Sequence, residues 1–266
     1  MGTDRIISLS MMGRFGNQVM SYLFARAHAN RVGAVLYCEP WLGDEVFTLP
    51  QENYQNRKWD GNRLPRRDCQ TLGAEDVNVE IRCYAQSQEA MIYTKAEARE
   101  WLTLRYNLGQ VFNVPEAMGA YASDYLVGHV RRGDYAGYGY PLVSINSYSE
   151  AVSKLGLWMG DDWLAEGAKG KPKILRLLTE EAPTPHGDLP PHLSFLPDFY
   201  RLAGAPVLLR ANSTFSWVAG LLNANRVLAP IVDGLMGGVE HECRFVEGNW
   251  PKFTNRDGIT DLHVKP

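Results

Sequence analysis

Apolar and polar positions alternate between two periods along this chain, and the changes of period mark its elements. Residues 5–11, Arg-Ile-Ile-Ser-Leu-Ser-Met, are apolar and β-branched and predict a first strand. A Gly-bearing turn follows, Gly13-Arg14-Phe15-Gly16-Asn17-Gln18. Val19, Met20, Leu23, Phe24 and Ala27 then recur at helical spacing, and Arg31-Val32-Gly33 marks the helix end. Ala34 to Cys38 predicts a second strand. Strand, helix, strand in this order predicts a parallel sheet of Rossmann-like topology.

Residues 39–85 are rich in Pro, Asn, Arg and Trp and show weak periodicity, so irregular structure with short elements is expected. Lys95 to Leu104 predicts a helix with Ala96, Trp101 and Leu102 packing inward. Leu126 to Val130 predicts a strand that carries Arg131-Arg132-Gly133-Asp134-Tyr135 at its carboxyl end. A helix over Ser147 to Leu155, capped by Ser147 or Ser149, is followed by a polar, Gly-rich loop at 158–172. Lys173 to Leu178 is the next strand. The four prolines in 182–191 exclude a regular element there. A helix over Phe195 to Ala203, a buried strand over Pro206 to Arg210, a helix running to Leu222 and a last strand over Arg226 to Val232 complete the pattern. The tail after Gly237 has no clear period. The expected division is into an N-terminal lobe, 1–121, and a C-terminal lobe, 122–266.

Composition changes this picture little. The 266 residues are 45% apolar and 21% charged, enough to bury a core. A net charge of −3 leaves no basic surface of the kind nucleic acid requires. It does not exclude a local arginine site for an anion. No apolar run reaches the ~18 residues of a membrane span, and the apolar patch Ile6 to Leu9 is too short for a leader. The expectation is a soluble or only peripherally attached protein. Cys38, Cys69, Cys83 and Cys243 form no CxxC pair and no zinc spacing, and are expected to be mostly reduced thiols in a cytoplasmic protein.

Three segments carry candidate chemistry. Arg131 and Arg132 place two guanidinium forks at a strand end, where α/β sheets bind ligands, and a guanidinium suits bidentate grip on a pyrophosphate. Read alone, the pair is equally a surface ion pair at a turn. Asn212-Ser213-Thr214-Phe215-Ser216-Trp217 puts hydroxyls where a strand enters a helix, beside free N–H groups and the positive end of the dipole; ordinary capping explains it as well. Gly13 and Gly16 permit close backbone approach at the first turn, with Asn17 as a cap, although the spacing is not GxGxxG. His129, taken alone, is a buried, hydrogen-bonded residue. There is no HExxH, GxSxG or GxxxxGK[ST] motif.

The three segments in this order resemble the α-1,2-fucosyltransferases of glycosyltransferase family 11. The Gly-Arg-Phe-Gly-Asn-Gln turn is similar to that of protein O-fucosyltransferases. His129 to Tyr135 carries the family's His-x-Arg-Arg-x-Asp-Tyr motif. Asn212 to Gly220 carries its Asn-Ser-Thr-Phe-Ser-Trp-Trp-Ala-Ala motif, with Val218 and Gly220 substituted. The usual Phe-Ser-Asp-Asp segment is replaced by Leu178-Thr179-Glu180-Glu181.

The resemblance implies a GT-B-like α/β fold, two Rossmann-like lobes with a donor cleft between them, the acceptor side N-terminal and the GDP-sugar side C-terminal. It implies inverting, metal-independent transfer of L-fucose from GDP-β-L-fucose, a co-substrate, to a carbohydrate acceptor such as the 2-OH of a galactoside. No cofactor is implied. Arg131 or Arg132 would meet the β-phosphate, with Arg131 favoured. His129 and Asp134 would shape the guanosine end or orient the arginines, and Asp134 is the nearest candidate base. Asn212, Ser213, Thr214, Phe215 and Ser216 would hold the phosphates, Gly13, Gly16 and Asn17 would line the donor, and Glu180 would meet the guanine. A protein O-fucosyltransferase, another GDP-sugar transferase and an inactive GDP-sugar-binding relative are the alternatives.

Overall fold

A computed structural model describes residues 5–50, 64–86, 90–106, 111, 125–154, 174–179, 189–232 and 234–248. They fall into two compact units, one within Met1–Tyr106 and one within Asn107–Thr260.

The first unit holds β1 (Ile6–Leu9), α1 (Phe15–Val32), β2 (Val35–Cys38), α2 (Leu42–Val46), β3 (Phe47–Thr48), β4 (Arg66–Arg67), β5 (Val79–Ile81), α3 (Lys95–Trp101) and β6 (Thr103–Leu104). Its main sheet has the order β2-β1-β5-β4, all parallel. The predicted first strand, helix and second strand are present, and α1 stops where Gly33 takes the left-handed conformation at φ 62. One side of β1 pairs with the strand that follows it, and the other side pairs with β5. The chain therefore reverses its direction of winding at β1, which opens a crevice beyond the carboxyl ends of β1 and β5.

Four expectations for this unit are corrected. Asn17 does not cap α1: the cap position is Arg14, without a side-chain bond, and the helix starts at Phe15. The helix predicted to Leu104 stops at Trp101, because the chain turns to pair Phe47–Thr48 with Thr103–Leu104. Ala98, rather than Ala96, packs inward beside Trp101 and Leu102.

The cysteines are the fourth correction. Cys69 and Cys83 form a disulfide, while Cys38 and Cys243 are free and buried. The cause is register. Arg67 is the parallel partner of Ile81, so positions two residues further along each chain arrive side by side, with Cα atoms 6.0 Å apart. Disulfides are rare in a reducing cytosol, so the thiol argument for a cytoplasmic protein fails for this pair. Among the described residues no helix is long and apolar enough to cross a membrane.

The second unit holds β7 (Tyr125–Val130), α4 (Gly133–Tyr138), β8 (Leu142–Val143), α5 (Ile145–Lys154), β9 (Ile174–Thr179), a 3₁₀ turn (Pro191–Leu193), α6 (Leu196–Gly204), β10 (Val207–Leu209), α7 (Thr214–Leu222), β11 (Arg226–Pro230), β12 (Glu240–His241) and β13 (Phe245–Glu247). The five-stranded sheet runs β13-β11-β10-β7-β9, parallel except for β13. Its core includes Leu126, Val130, Tyr148, Val152, Val207, Leu209 and Leu228. Gly128 sits in β7 where a Cβ would lie 2.6 Å from Leu177 and 3.1 Å from Tyr148, so only glycine lets these two side chains close over the strand.

Two predicted features shift here. Ser144, rather than Ser147 or Ser149, caps α5, its Oγ accepting from Ser147 N–H. Arg226–Pro230 is not the last strand, since β12 and β13 follow it. The tail lacked a clear period because these pieces are two and three residues long.

Candidate functional site

The order β9-β7-β10-β11 places the second unit's winding reversal between β7 and β10. Gly128 is the parallel partner of Leu209. The residues that follow, His129 and Arg210, therefore leave the sheet at the same level, and the loops after them share one crevice. Two of the three segments singled out in the sequence meet at this point.

The two arginines there are distinct. Arg131 Nη2 donates to Asp134 Oδ1 at 2.6 Å, and its guanidinium lies 5.0 Å from the centre of the Tyr135 ring. Arg132 turns the other way: its Nη1 is 2.8 Å from Glu240 Oε1, at the start of β12. The pattern of neighbouring side chains diverging at a strand end is the one expected, but each finds a carboxylate. Gly133, at φ 24, opens the short helix α4 rather than a simple loop. Tyr135 ties the two loops together, its hydroxyl donating to Asn212 carbonyl at 3.1 Å. Burial pushes the Tyr135 phenol up to about 12, against the opposing charge of Arg131.

The loop after β10 is shaped by its own side chains. Asn212 Nδ2 donates to Pro141 carbonyl at 3.0 Å. Ser213 caps α7 by accepting from Phe215 N–H. Ser216 is fully buried, and its hydroxyl faces the carbonyls of Ala211 and Ser213 at 3.2 and 3.3 Å. Thr214 and Phe215 stay part-exposed in the first turn, where the helix dipole is positive.

His129 is buried under this loop, its ring 5.6 Å from Phe215. Burial, then the charges of Arg131 and Arg210, push its pKa down to about 3. It is a neutral imidazole at physiological pH. The expected hydrogen bond from its side chain is not made: Nδ1 is buried without a partner among the described residues, and so is Asn212 Oδ1. Buried polar atoms in native proteins are nearly always paired, so these two have hydrogen-bonding capacity to spare.

Arg210 was not singled out by sequence reasoning. It is fully buried, and desolvation lowers its pKa to about 9 despite the phenols of Tyr135 and Tyr148. Its signal was a charged residue ending an apolar strand. Tyr148 was missed too; its hydroxyl donates to His129 carbonyl at 2.5 Å and holds the end of β7.

Gly13, Gly16 and Asn17 lie in the first unit, in their own crevice after β1. Gly13 has φ +70, and a Cβ there would come within 2.9 Å of the Tyr84 ring. Gln86 Nε2 donates to Asn17 Oδ1 at 2.8 Å, and Gln18 Nε2 to Gly13 carbonyl at 3.1 Å. Glu180 lies outside the described residues. Among the described residues, no three His, Cys, Asp or Glu side chains are grouped so as to hold a metal ion.

No family model matches the sequence, and no curated protein matches it. Solved structures do match. NodZ α-1,6-fucosyltransferase, in a crystal soaked with GDP-fucose, aligns over 92% of this chain and 100% of its own, at a TM-score of 0.53 and 16% identity. The same enzyme co-crystallised with GDP aligns over 93% and 99%, at 0.53 and 15%; NodZ comes from Bradyrhizobium. A variant of Arabidopsis thaliana FUT1 in complex with GDP aligns over 100% of this chain and 75% of its own, at 0.53 and 14%. The fold is that of solved fucosyltransferases. The GT-B-like fold of parallel α/β units expected from the sequence is therefore the fold found.

Proposed function

We propose that the protein is a glycosyltransferase that moves L-fucose from GDP-β-L-fucose to a sugar hydroxyl, with the 2-OH of a galactoside as acceptor. The observation that carries this reading is the convergence of Arg131, buried Arg210, the orphaned His129 and Asn212 atoms and the first turn of α7 at one winding reversal. Such a crevice attracts a dianion through guanidinium forks and backbone N–H groups together. The fucosyltransferase fold, with GDP or GDP-fucose present in the crystals of its neighbours, supports the choice of nucleotide sugar. The C-terminal unit is accordingly the donor-binding one.

In the proposed reaction the acceptor oxygen attacks C1 of fucose and the bond from C1 to the β-phosphate oxygen breaks. Configuration inverts from β to α, the acceptor proton goes to a base, and GDP leaves. Arg131 neutralises the charge that develops on the leaving phosphate, and the dipole of α7 adds to it. Asp134 aims that guanidinium, since the carboxylate oxygen nearest to it is already engaged. It is a poor base for the same reason. Arg132 holds Glu240 and shapes the crevice wall from outside. Charge neutralisation by side chains and a helix end lets the chemistry run without a metal.

The experiment is a thermal-shift titration with GDP, UDP and CMP, followed by GDP release from GDP-fucose with and without galactosides. Selective stabilisation by GDP and galactoside-dependent release are expected. No preference for GDP sinks the donor reading. GDP binding without turnover makes the protein an inactive relative. Turnover that EDTA abolishes and Mn²⁺ restores removes the metal-independent mechanism.

A further inference from the structure

Tyr135 is the first of three aromatic rings that run outward from Arg131. Its centre lies 5.0 Å from that of Tyr140, and Tyr140 lies 6.3 Å from Tyr138. Exposure rises along the row, to 38% at Tyr140 and 63% at Tyr138. Neighbouring exposed aromatics form the kind of contiguous apolar surface that can serve binding.

The row is held in place from several sides. Tyr140 N–H donates to Tyr135 carbonyl, and Gly139 takes the left-handed conformation that ends α4. Gly237 N–H donates to Gly139 carbonyl. A Cβ on Gly238 would stand 2.3 Å from Ala136 carbonyl oxygen, so the 237–238 backbone lies directly against α4. Asn212 then fixes Pro141, the residue after Tyr140. The backbone that carries the two exposed rings is thus held in place, which lowers the ordering entropy lost on binding.

Ring faces are apolar, and the phenol hydroxyls of Tyr138 and Tyr140 make no hydrogen bond to a described residue. A pyranose presents the complementary surface: one face of C–H bonds with hydroxyls around its rim. Met236 and Val239 are exposed on either side of the 237–238 backbone, but a protein partner would need roughly 800 Å² on this side. A neutral sugar needs only the two rings, and the row leads it inward to Arg131.

We propose that Tyr138 and Tyr140 form a stacking platform for the acceptor pyranoside, with Tyr135 as the step from that platform to the phosphate end. The assignment as acceptor platform rests on the donor reading of the Arg131 crevice. The platform itself is testable apart from it.

The full chain is assayed by saturation-transfer NMR against methyl β-galactoside, methyl β-glucoside and methyl N-acetyl-β-glucosaminide, with GDP binding measured by calorimetry on the same samples. The wild type is expected to bind at least one glycoside. Tyr138→Ala and Tyr140→Ala should each weaken that binding by about fivefold or more, as loss of an aromatic contact does, with GDP affinity unchanged. Tyr138→Trp should retain it. A wild type that binds none of the three, or alanine variants that bind as the wild type does, overturns the platform. So does self-association that Tyr138→Ala abolishes, which makes the rings a protein interface. Failure to bind GDP while the tyrosine effects persist leaves the platform standing and removes only the donor reading.

Discussion

Among the described residues each unit has a winding reversal of the same kind, and the two are furnished differently. In the first unit the crevice after β1 and β5 is lined by glycine, amides and a tyrosine: Gly13, Asn17, Gln18, Gln86 and Tyr84. In the second unit the crevice after β7 and β10 holds Arg131, restrained by Asp134, and the buried Arg210, while Arg132 is turned away to Glu240. One topology thus yields a turn furnished mainly with amides in one place and a pair of guanidinium groups at the strand ends in another. The sheet order supplies the opening, and the residues just past the strand ends decide its charge.

The contrast can be broken most forcefully at Arg131. Arg131→Lys keeps the charge and loses the fork, and turnover should fall by about 10²–10³ with the circular dichroism spectrum unchanged. Unaltered turnover would show that the second crevice does not serve the leaving group.

The next largest effect belongs to the first unit. Cys69 and Cys83 are 14 residues apart, and closing a loop of that size stabilises by about 3 kcal/mol in the chain-entropy view. The bridge also backs the crevice, because Ser21 on α1 donates to Cys83 carbonyl and Gln86 follows three residues on. Replacing both cysteines by serine should lower the melting temperature and speed hydrogen exchange over 13–18 and 83–86. GDP affinity should not move; a large loss would mean that the two crevices do not act separately.

A third comparison is made by pH. His129 has its pKa pushed down to about 3 in the fold, while an unfolded histidine titrates near 6.5. Below about 6.5 the unfolded chain binds a proton that the native state refuses, so stability drops by about 1.4 kcal/mol per pH unit down to about pH 3. Burial also lowers His28 in the first unit, with the same sign. Denaturant melts from pH 7 to pH 4 should show the slope, and His129→Gln should reduce it while leaving the His28 part. The smallest effect is Glu240→Gln. Its partner side chain is 17% exposed but Glu240 is 55% exposed, so stability should change by no more than about 1 kcal/mol. A loss of activity matching that of Arg131→Lys would give Arg132 the role argued here for Arg131.

Most elements of both sheets were legible because strands of four to six apolar residues and helices of nine or more have a period to read. The crevice in the second unit was legible as two motifs, since His129 to Tyr135 and Asn212 to Ser216 each follow an apolar strand. What was hidden depended on pairing between distant residues. The strand Arg66–Arg67 is two residues long and charged, so nothing announced it, and without it the Cys69–Cys83 register was invisible. The carboxylate that takes Arg132 sits in an equally short strand, Glu240–His241. Arg210 looked like the polar end of a strand until its burial was known. Ser216 looked like a ligand group, yet its place inside α7 turns its hydroxyl to the backbone.

The antiparallel strand β13 has a consequence for handling the molecule. It lies along the outer side of β11, pairing Leu228 with Glu247 and Ala229 with Val246, and Glu247 bridges to Arg226 at 2.9 Å. Without it, Val227, Leu228 and Ala229 would present an open row of backbone donors and acceptors to any passing chain. A protein cut short before Phe245 should therefore lose solubility before it loses its nucleotide crevice, and light scattering during expression trials would register that first.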